Sequence, residues 1–255
     1  MKLFENFRKW SRKEVKNRCG ILVASDQTQE WLLPWWWRNY TRHNSCPVSF
    51  VDLGLTEKMK RWCLGKGEYI HLPVPDVFVK ERDEIEPHLI KEWEAETGTQ
   101  FWESRNNWFK KPLACLQSPY EKTLWIDLDC EIKGAIAPCF DLLPHPSGLA
   151  MTKERDQPKP SPIKYNAGVI LFQRNLSLIE EWADGSFEKN ELFRGDQDLL
   201  EHLIAERKLP IAEIPPLYNW SRCQEDHPEV VIYHWHGKIG KKIIEHQIMK
   251  AELNL

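Results

Sequence analysis

The sequence predicts an α/β protein built on one mostly parallel sheet, and three observations lead there. Short apolar, β-rich runs alternate with longer helix-like stretches along the 255 residues. No internal repeat, low-complexity tract or Gly/Ser linker divides the chain, which favours a single domain with appended segments. Hydrophobic residues make up 42% and charged residues 29%, an ordinary balance for a globular chain that can bury a sizeable core and cannot be disordered or fibrous.

The elements follow in order. Ile21 to Ser25, Val48 to Asp52, Thr123 to Asp127, Leu149 to Thr152, Gly168 to Phe172 and Val230 to Tyr233 are the short apolar runs expected of buried strands. Between them Glu30 to Arg42, Glu57 to Leu64, Arg82 to Glu96, Leu176 to Trp182 and Gln197 to Glu206 read as helices. Pro158, Pro160 and Pro162 mark a non-regular connection, and Pro215 with Pro216 marks another before the last strand. In such a sheet a ligand is expected beyond the carboxyl ends of the strands, so polar residues just after a β run are the ones to inspect.

Composition limits the function classes. The net charge of -3 excludes a globally basic nucleic-acid binder. The basicity is local: residues 1–18 carry seven Lys and Arg against Glu5 and Glu14, a net of +5, which leaves -8 on the remainder. Leu3, Phe7 and Trp10 fall at helical spacing in that segment, an amphipathic pattern suited to lying on an anionic membrane surface. No apolar run approaches the ~20 residues that span a bilayer, and none follows the basic N-terminus as a secretory signal requires. Seven cysteines, an odd number without C-x-x-C pairs, read as reduced thiols in a cytoplasmic chain, so the sequons at Asn39, Asn175 and Asn219 are taken as chance. Thirteen tryptophans, three of them consecutive at Trp35 to Trp37, serve either as core bulk or as platforms for sugar rings or lipid headgroups, and composition does not choose between these uses.

The chemistry concentrates at two strand ends. The run Thr123 to Asp129 ends in D-x-D, where alternation in an extended chain puts Asp127 and Asp129 on one side, within reach of one hard cation. Solvated acids on a turn are the alternative for so short a motif. Near the C-terminus the apolar run Val230 to Tyr233 leads into His234, His236 and Lys238. An imidazole beside two carboxylates is a mixed N/O set that suits Mn²⁺ or Mg²⁺ better than structural zinc. Cys223, His227, His234 and His236 form a competing zinc set whose spacing fits no familiar finger.

Five segments in order, ILVASDQ from Ile21, Lys111 sixteen residues before D-x-D, the LWIDLD strand, YNAGVILF with GDQDLL, and H-x-x-G at His234 to Gly237, resemble the retaining GT-A glycosyltransferases of the glycogenin and lipopolysaccharide galactosyltransferase kind, glycosyltransferase family 8. The resemblance spans residues 20–241 and implies a GT-A nucleotide-sugar transferase domain over residues 19–255. It implies a UDP-sugar donor, a divalent metal held by Asp127, Asp129 and His234, and Asp26 on the nucleotide base with Ala24 and Ser25 beside it. It also implies Lys111 at the sugar nucleotide, Lys238 or its neighbour at the diphosphate, and Asn166, Asp196 and Gln197 around the transferred sugar. The family's usual diphosphate lysine falls here on Gly240, flanked by Lys238 and Lys241, so the sequence leaves that lysine open, as it does any ligation by His236.

The expected function is therefore metal-dependent, retaining hexosyl transfer to a glycan, lipid-linked or protein acceptor, in the cytoplasm and peripherally at the inner face of a membrane through residues 1–18. Two other readings share some of these residues: a D-x-D phosphatase or phosphotransferase, and a non-catalytic carbohydrate-binding protein. In the phosphatase group D-x-D stands near the start of the domain, followed by Gly-Thr or Gly-Val, whereas Cys130-Glu131 follows it here at mid-chain. For Asp196 the plain structural expectation is a helix N-cap, since Gly195-Asp196 precedes an apolar periodic run.

Overall fold

The computed structural model describes residues 17–143, 145–154 and 164–253. All but the last two residues of the basic segment 1–18, and with them its membrane expectation, lie outside the described residues, as do Pro158, Pro160 and Pro162.

A seven-stranded sheet forms the centre: β1 (Asn17–Ser25), β2 (Val48–Asp52), β3 (Glu68–His71), β4 (Tyr120–Ile126), β6 (Leu149–Lys153), β7 (Tyr165–Gln173) and β8 (Ala212–Glu213), in the order β3-β2-β1-β4-β7-β6-β8. Strands β3, β2, β1 and β4 run parallel, while β7 is antiparallel to both β4 and β6. The order reverses direction at β1 and β4, which are neighbours, so the crevice outside their carboxyl ends is the switch point where α/β sheets bind ligands.

Strand alternation explains why the expected runs are continuously apolar. Ile21, Val23, Leu124, Ile126, Val169 and Leu171 face one layer, while Leu22, Trp125, Ile170 and Phe172 face the other. The first layer holds α1 (Leu32–Thr41), α2 (Glu57–Leu64) and α8 (Gly237–Leu253), and the second holds α5 (Lys110–Cys115), α6 (Ser177–Glu188) and α7 (Asp196–Arg207). The tryptophan triplet is core bulk: Trp35 and Trp36 are buried, Trp36 stacks on Tyr40 at 5.1 Å, and Trp35 donates to Gln247 of α8. All seven cysteines are free.

Two differences from the sequence expectation have plain causes. The helix expected from Arg82 divides into a single tight turn, Arg82–Glu84, and α3 (Pro87–Thr97). Pro87 forces Glu86 out of helical geometry and then serves well as the first helical residue. The last expected strand is shifted: β10 is Ile232–His234, so His234 belongs to the strand itself. Elements the sequence reading did not see are β3, α4 (Trp102–Trp108), α5, β5 (Cys130–Ile132), β8, β9 (Trp220–Ser221) and α8. Several of these are very short, with too few residues for a period to show.

Three of these strands build a second, small sheet in the order β5-β10-β9. Cys130 pairs with His234 antiparallel, and His234 pairs with Ser221 in parallel. This sheet brings His234 beside Asp129 of D-x-D, 105 residues away in sequence. No helix among the described residues is long and apolar enough to cross a membrane.

Candidate active site

A cleft opens at the carboxyl ends of β1 and β4. Ala24, Ser25 and Asp26 line it from β1, Asp127 to Asp129 from the turn after β4, Lys111 from α5 and Lys241 from α8. Asp26 Oδ1 accepts from the backbone N–H groups of Thr28 and Gln29 and from the Thr28 hydroxyl, which closes the chain into a turn at the cleft rim.

The D-x-D segment is not extended. Cys130 N–H donates to the Asp127 carbonyl at 3.1 Å, which makes a turn, so strict alternation does not apply and the two carboxylates take different partners. Asp127 turns to Lys111, whose Nζ lies 3.1 Å and 3.2 Å from its two oxygens, and Trp125 Nε1 donates to Oδ1 at 2.7 Å. Asp129 turns to His234, with Oδ1 3.3 Å from Nε2.

Lys111 is the hub of the buried charges. Its ammonium also donates to the Ala167 carbonyl at 3.0 Å and stands 3.5 Å from Asp196 Oδ2. Burial alone would lower the lysine, but Asp127 and Asp196 outweigh it and hold it raised and charged. Asp196 is the opposite case: burial, with Asp127 and Asp198 nearby, pushes its carboxyl up to about 6 against the pull of Lys111. The N-cap of α7 is Gly195, without a side-chain cap bond, so Asp196 is not the cap that its sequence position suggested. It is the first helical residue, buried, with its carboxylate directed at Lys111.

The remaining expected residues tie strands together. Gln197 Oε1 accepts from Ala167 N–H at 2.9 Å, and Asn166 Oδ1 accepts from Gly168 N–H at 2.9 Å. Gly168 of the N-A-G run has a steric reason: a Cβ there would stand 2.3 Å from His234 Cε1. Gly240 has one too, since a Cβ would lie 1.6 Å from the Trp235 carbonyl oxygen. Of its flanking lysines, Lys238 pairs with Glu103 at 2.9 Å on the surface, while Lys241 lines the cleft.

Asp129 and His234 fit a divalent cation. Two cis ligands each ~2.1 Å from one ion stand about 3 Å apart, close to the separation found here, and the O/N donor set suits Mn²⁺ or Mg²⁺. Burial would raise the Asp129 carboxyl, but in the metal-free site the hydrogen bond and charge of His234, with Lys241 and Lys111, hold it well below the usual range, the Nε2 proton being one that a bound ion would displace. Cys130 Sγ lies within 4.8 Å of both ligand atoms, and burial pushes that thiol up in the metal-free site. Cys223, His227 and His236 do not gather with His234 among the described residues; His236 Nε2 is bonded to Ser221 Oγ at 2.8 Å.

The sequence reading missed five contributors. Ser104, Asn107 and Trp108 line the cleft from α4 at helical spacing with Lys111, a pattern that was present to be read. On the opposite face of α4, buried Arg105 donates to the carbonyls of Lys80, Asn190 and Phe193 and so anchors that wall. Asn219 lies against His234 Nδ1 at 3.0 Å and against Asn166 Oδ1 at 2.9 Å.

No family model and no curated protein matches the chain by sequence. Solved structures do match. The glycosyltransferase GlyE of Streptococcus pneumoniae superposes with a TM-score of 0.59 at 16% identity, covering 88% of this chain; the chain spans 55% of GlyE. The galactosyltransferase LgtC, solved with donor and acceptor sugar analogues, gives 0.56 at 14% identity, with 89% of this chain and 94% of LgtC covered. Mouse xyloside xylosyltransferase 1 gives 0.52 at 17% identity over 87% of this chain and 98% of its own. The chain has the GT-A fold. Within this GT-A chain the cleft occupies the switch point of the sheet: Ala24, Ser25, Asp26, Lys111, Asp127 and Asp129 line it, Asp196 pairs with Lys111 and His234 with Asp129, while Gln197 is bonded to Ala167, Asn166 to Gly168 and Asn219, and Lys238 to Glu103 at the surface.

Proposed function

We propose that this protein is a retaining, divalent-metal-dependent glycosyltransferase that moves a sugar from a UDP-sugar to a glycan, lipid-linked or protein acceptor. The observation that carries the reading is the 3.3 Å approach of Asp129 and His234 at the switch-point cleft, with Lys241 and Lys111 beside them. Asp129 and His234, with Asp127 at the same turn, would hold Mn²⁺ or Mg²⁺, which would supply counter-charge for the diphosphate there. Asp26 and the β1 end receive the nucleotide, and Lys241, in the cleft, takes the diphosphate role in preference to Lys238. Lys111 stays charged and fixes Asp127 and Asp196 in place. Asp196, Gln197 and Asn166 form the wall toward the transferred sugar, and the Asp196 carboxylate stabilises positive charge developing at the anomeric carbon.

In the reaction the bond from the anomeric carbon to the β-phosphate oxygen breaks, and the acceptor oxygen bonds to that carbon on the same face. The acceptor proton passes to the departing phosphate oxygen, so no separate base is needed. The test is a screen of UDP-sugars with and without Mn²⁺. UDP release confined to one or two donors, dependent on Mn²⁺ and abolished by chelator, is expected, with retained configuration by NMR. No turnover of any nucleotide sugar, or UDP binding that is equal with and without chelator, overturns the proposal.

A further inference from the structure

We infer that Asn219 is a positioning residue that holds the His234 proton on Nδ1 and leaves Nε2 free for the ion shared with Asp129. The inference deepens the proposed metal site and rests on that reading only for its binding readout.

The argument starts from a group that can act in one way only. The backbone N–H of Gly168 donates, so the Asn166 side-chain atom 2.9 Å from it is the carbonyl oxygen. The amide nitrogen of Asn166 then faces Glu154 Oε1, an acceptor, at 3.4 Å, which agrees. The Asn219 atom 2.9 Å from Asn166 Oδ1 must be a donor, hence Nδ2. That orientation turns Asn219 Oδ1, which can only accept, toward His234 at 3.0 Å, so Nδ1 carries a hydrogen. One backbone N–H thus sets two amide orientations and an imidazole proton in series.

The fold leaves the chain of bonds no slack. Asn219 is 7% exposed and His234 5% exposed, too enclosed for water to replace either partner freely. Asn219 ends the tight turn Pro216–Tyr218 and precedes β9, whose Ser221 pairs with His234, so the small sheet fixes the separation of Asn219 from the ring. On the other side the ring is confined by Gly168. An imidazole whose Nδ1–H is so held presents Nε2 toward Asp129, the arrangement in which metal-binding histidines are oriented by an outer partner. Because Asn219 also grips Asn166, the same residue couples the metal side of the cleft to the sugar side.

The test uses the full chain. Long-range ¹⁵N–¹H NMR of the imidazole nitrogens in metal-free protein at pH 8 is expected to show His234 with a proton on Nδ1. Free neutral imidazole side chains prefer Nε2–H, so a proton on Nε2 alone overturns the inference whether or not any metal or nucleotide sugar binds. Calorimetry with Mn²⁺ supplies the second readout. Asn219→Leu, which removes both bonds, should weaken Mn²⁺ by about 10- to 100-fold, the range for losing an outer partner of a metal histidine. Asn219→Asp, which keeps an acceptor for Nδ1–H but loses the donor to Asn166, should lose less Mn²⁺ affinity than Asn219→Leu. A folded Asn219→Leu protein with native Mn²⁺ affinity also overturns it. Native protein that shows Nδ1–H but binds no Mn²⁺ sinks the metal-dependent function and leaves the positioning role standing.

Discussion

Asp127 and Asp129 stand two residues apart and belong to different machines. Asp127 directly follows β4 of the main sheet and is gripped by Lys111 and Trp125, groups from the same half of the chain. Asp129 directly precedes β5 of the small sheet and faces His234, which arrives from the C-terminal region through the pairing of β5 with β10. The first carboxylate is braced by a fixed protein cation, and the second is paired with a side chain suited to share a mobile one. A single short motif therefore spans two electrostatic environments because the chain turns between its acids.

The largest expected effect tests the braced side. Lys111→Met leaves Asp127 and Asp196 without their shared cation and should cost about 3–5 kcal/mol in urea unfolding, the scale for breaking a buried ion pair. Adding Asp196→Asn should restore part of that loss, since it removes the more deeply buried of the two carboxylates left unpaired. An unchanged urea midpoint in the single variant would show that Lys111 does not brace this side. On the other side, Asp129→Ala should weaken Mn²⁺ on the order of 10²-fold by calorimetry, and Asp127→Ala only about tenfold, because its oxygens already serve Lys111. Equal losses would erase the distinction between the two acids.

Gly168→Ala comes next. A methyl pressed against the His234 ring should cost about 1–3 kcal/mol of stability and reduce Mn²⁺ binding together, as read by thermal melting with and without Mn²⁺. Stability lost with Mn²⁺ affinity intact would mean the ring moves without leaving the site. At the lysines, Lys241→Ala should weaken UDP about tenfold, or about 1.4 kcal/mol. Lys238→Ala should leave it within about twofold because its ammonium serves Glu103 at the surface. The reverse order would return the diphosphate role to Lys238.

The smallest effect is one of pH, away from the cleft. Burial pushes Glu201 up to about 7 from an ordinary 4.5, against the Tyr165 N–H that donates to it at 2.8 Å. A carboxyl raised on folding contributes full stability below pH ~4.5 and loses it as pH climbs through ~7. Glu201→Gln should therefore melt closer to, or above, the native protein at pH 8 than at pH 5. A difference in melting temperature that does not change between those two pH values would remove burial as the governing influence.

Much of this architecture was legible in the sequence. The strands of the main sheet announce themselves because they are buried on both faces, which makes each a continuous apolar run, and D-x-D follows one of them directly. Ala24, Asp26 and Asp127 are legible for the same reason, each standing at or just after the end of a strand that local sequence specifies, whereas Lys111, on the unseen α5, was reached only through the family resemblance. Helix starts could be approached from sequence, yet Pro87 and Gly195 show that the exact first residue depends on caps and local backbone.

The small sheet was legible only in β10, foreshadowed two residues early by the run Val230 to Tyr233; β5 and β9 have three residues or fewer each and carry no period of their own. They exist only because the chain returns and pairs, and that return decided that His234 meets Asp129, that the two acids take different partners, and that Asn219 rather than a nearby histidine backs the ring. By itself the sequence determined the residue types for metal and diphosphate chemistry and the sheet that carries them, since local apolar patterning drives both. Which of those residues face one another was decided by long-range pairing alone. Local propensity does not encode the separation of two side chains 105 positions apart, and backbone hydrogen bonds between strands do.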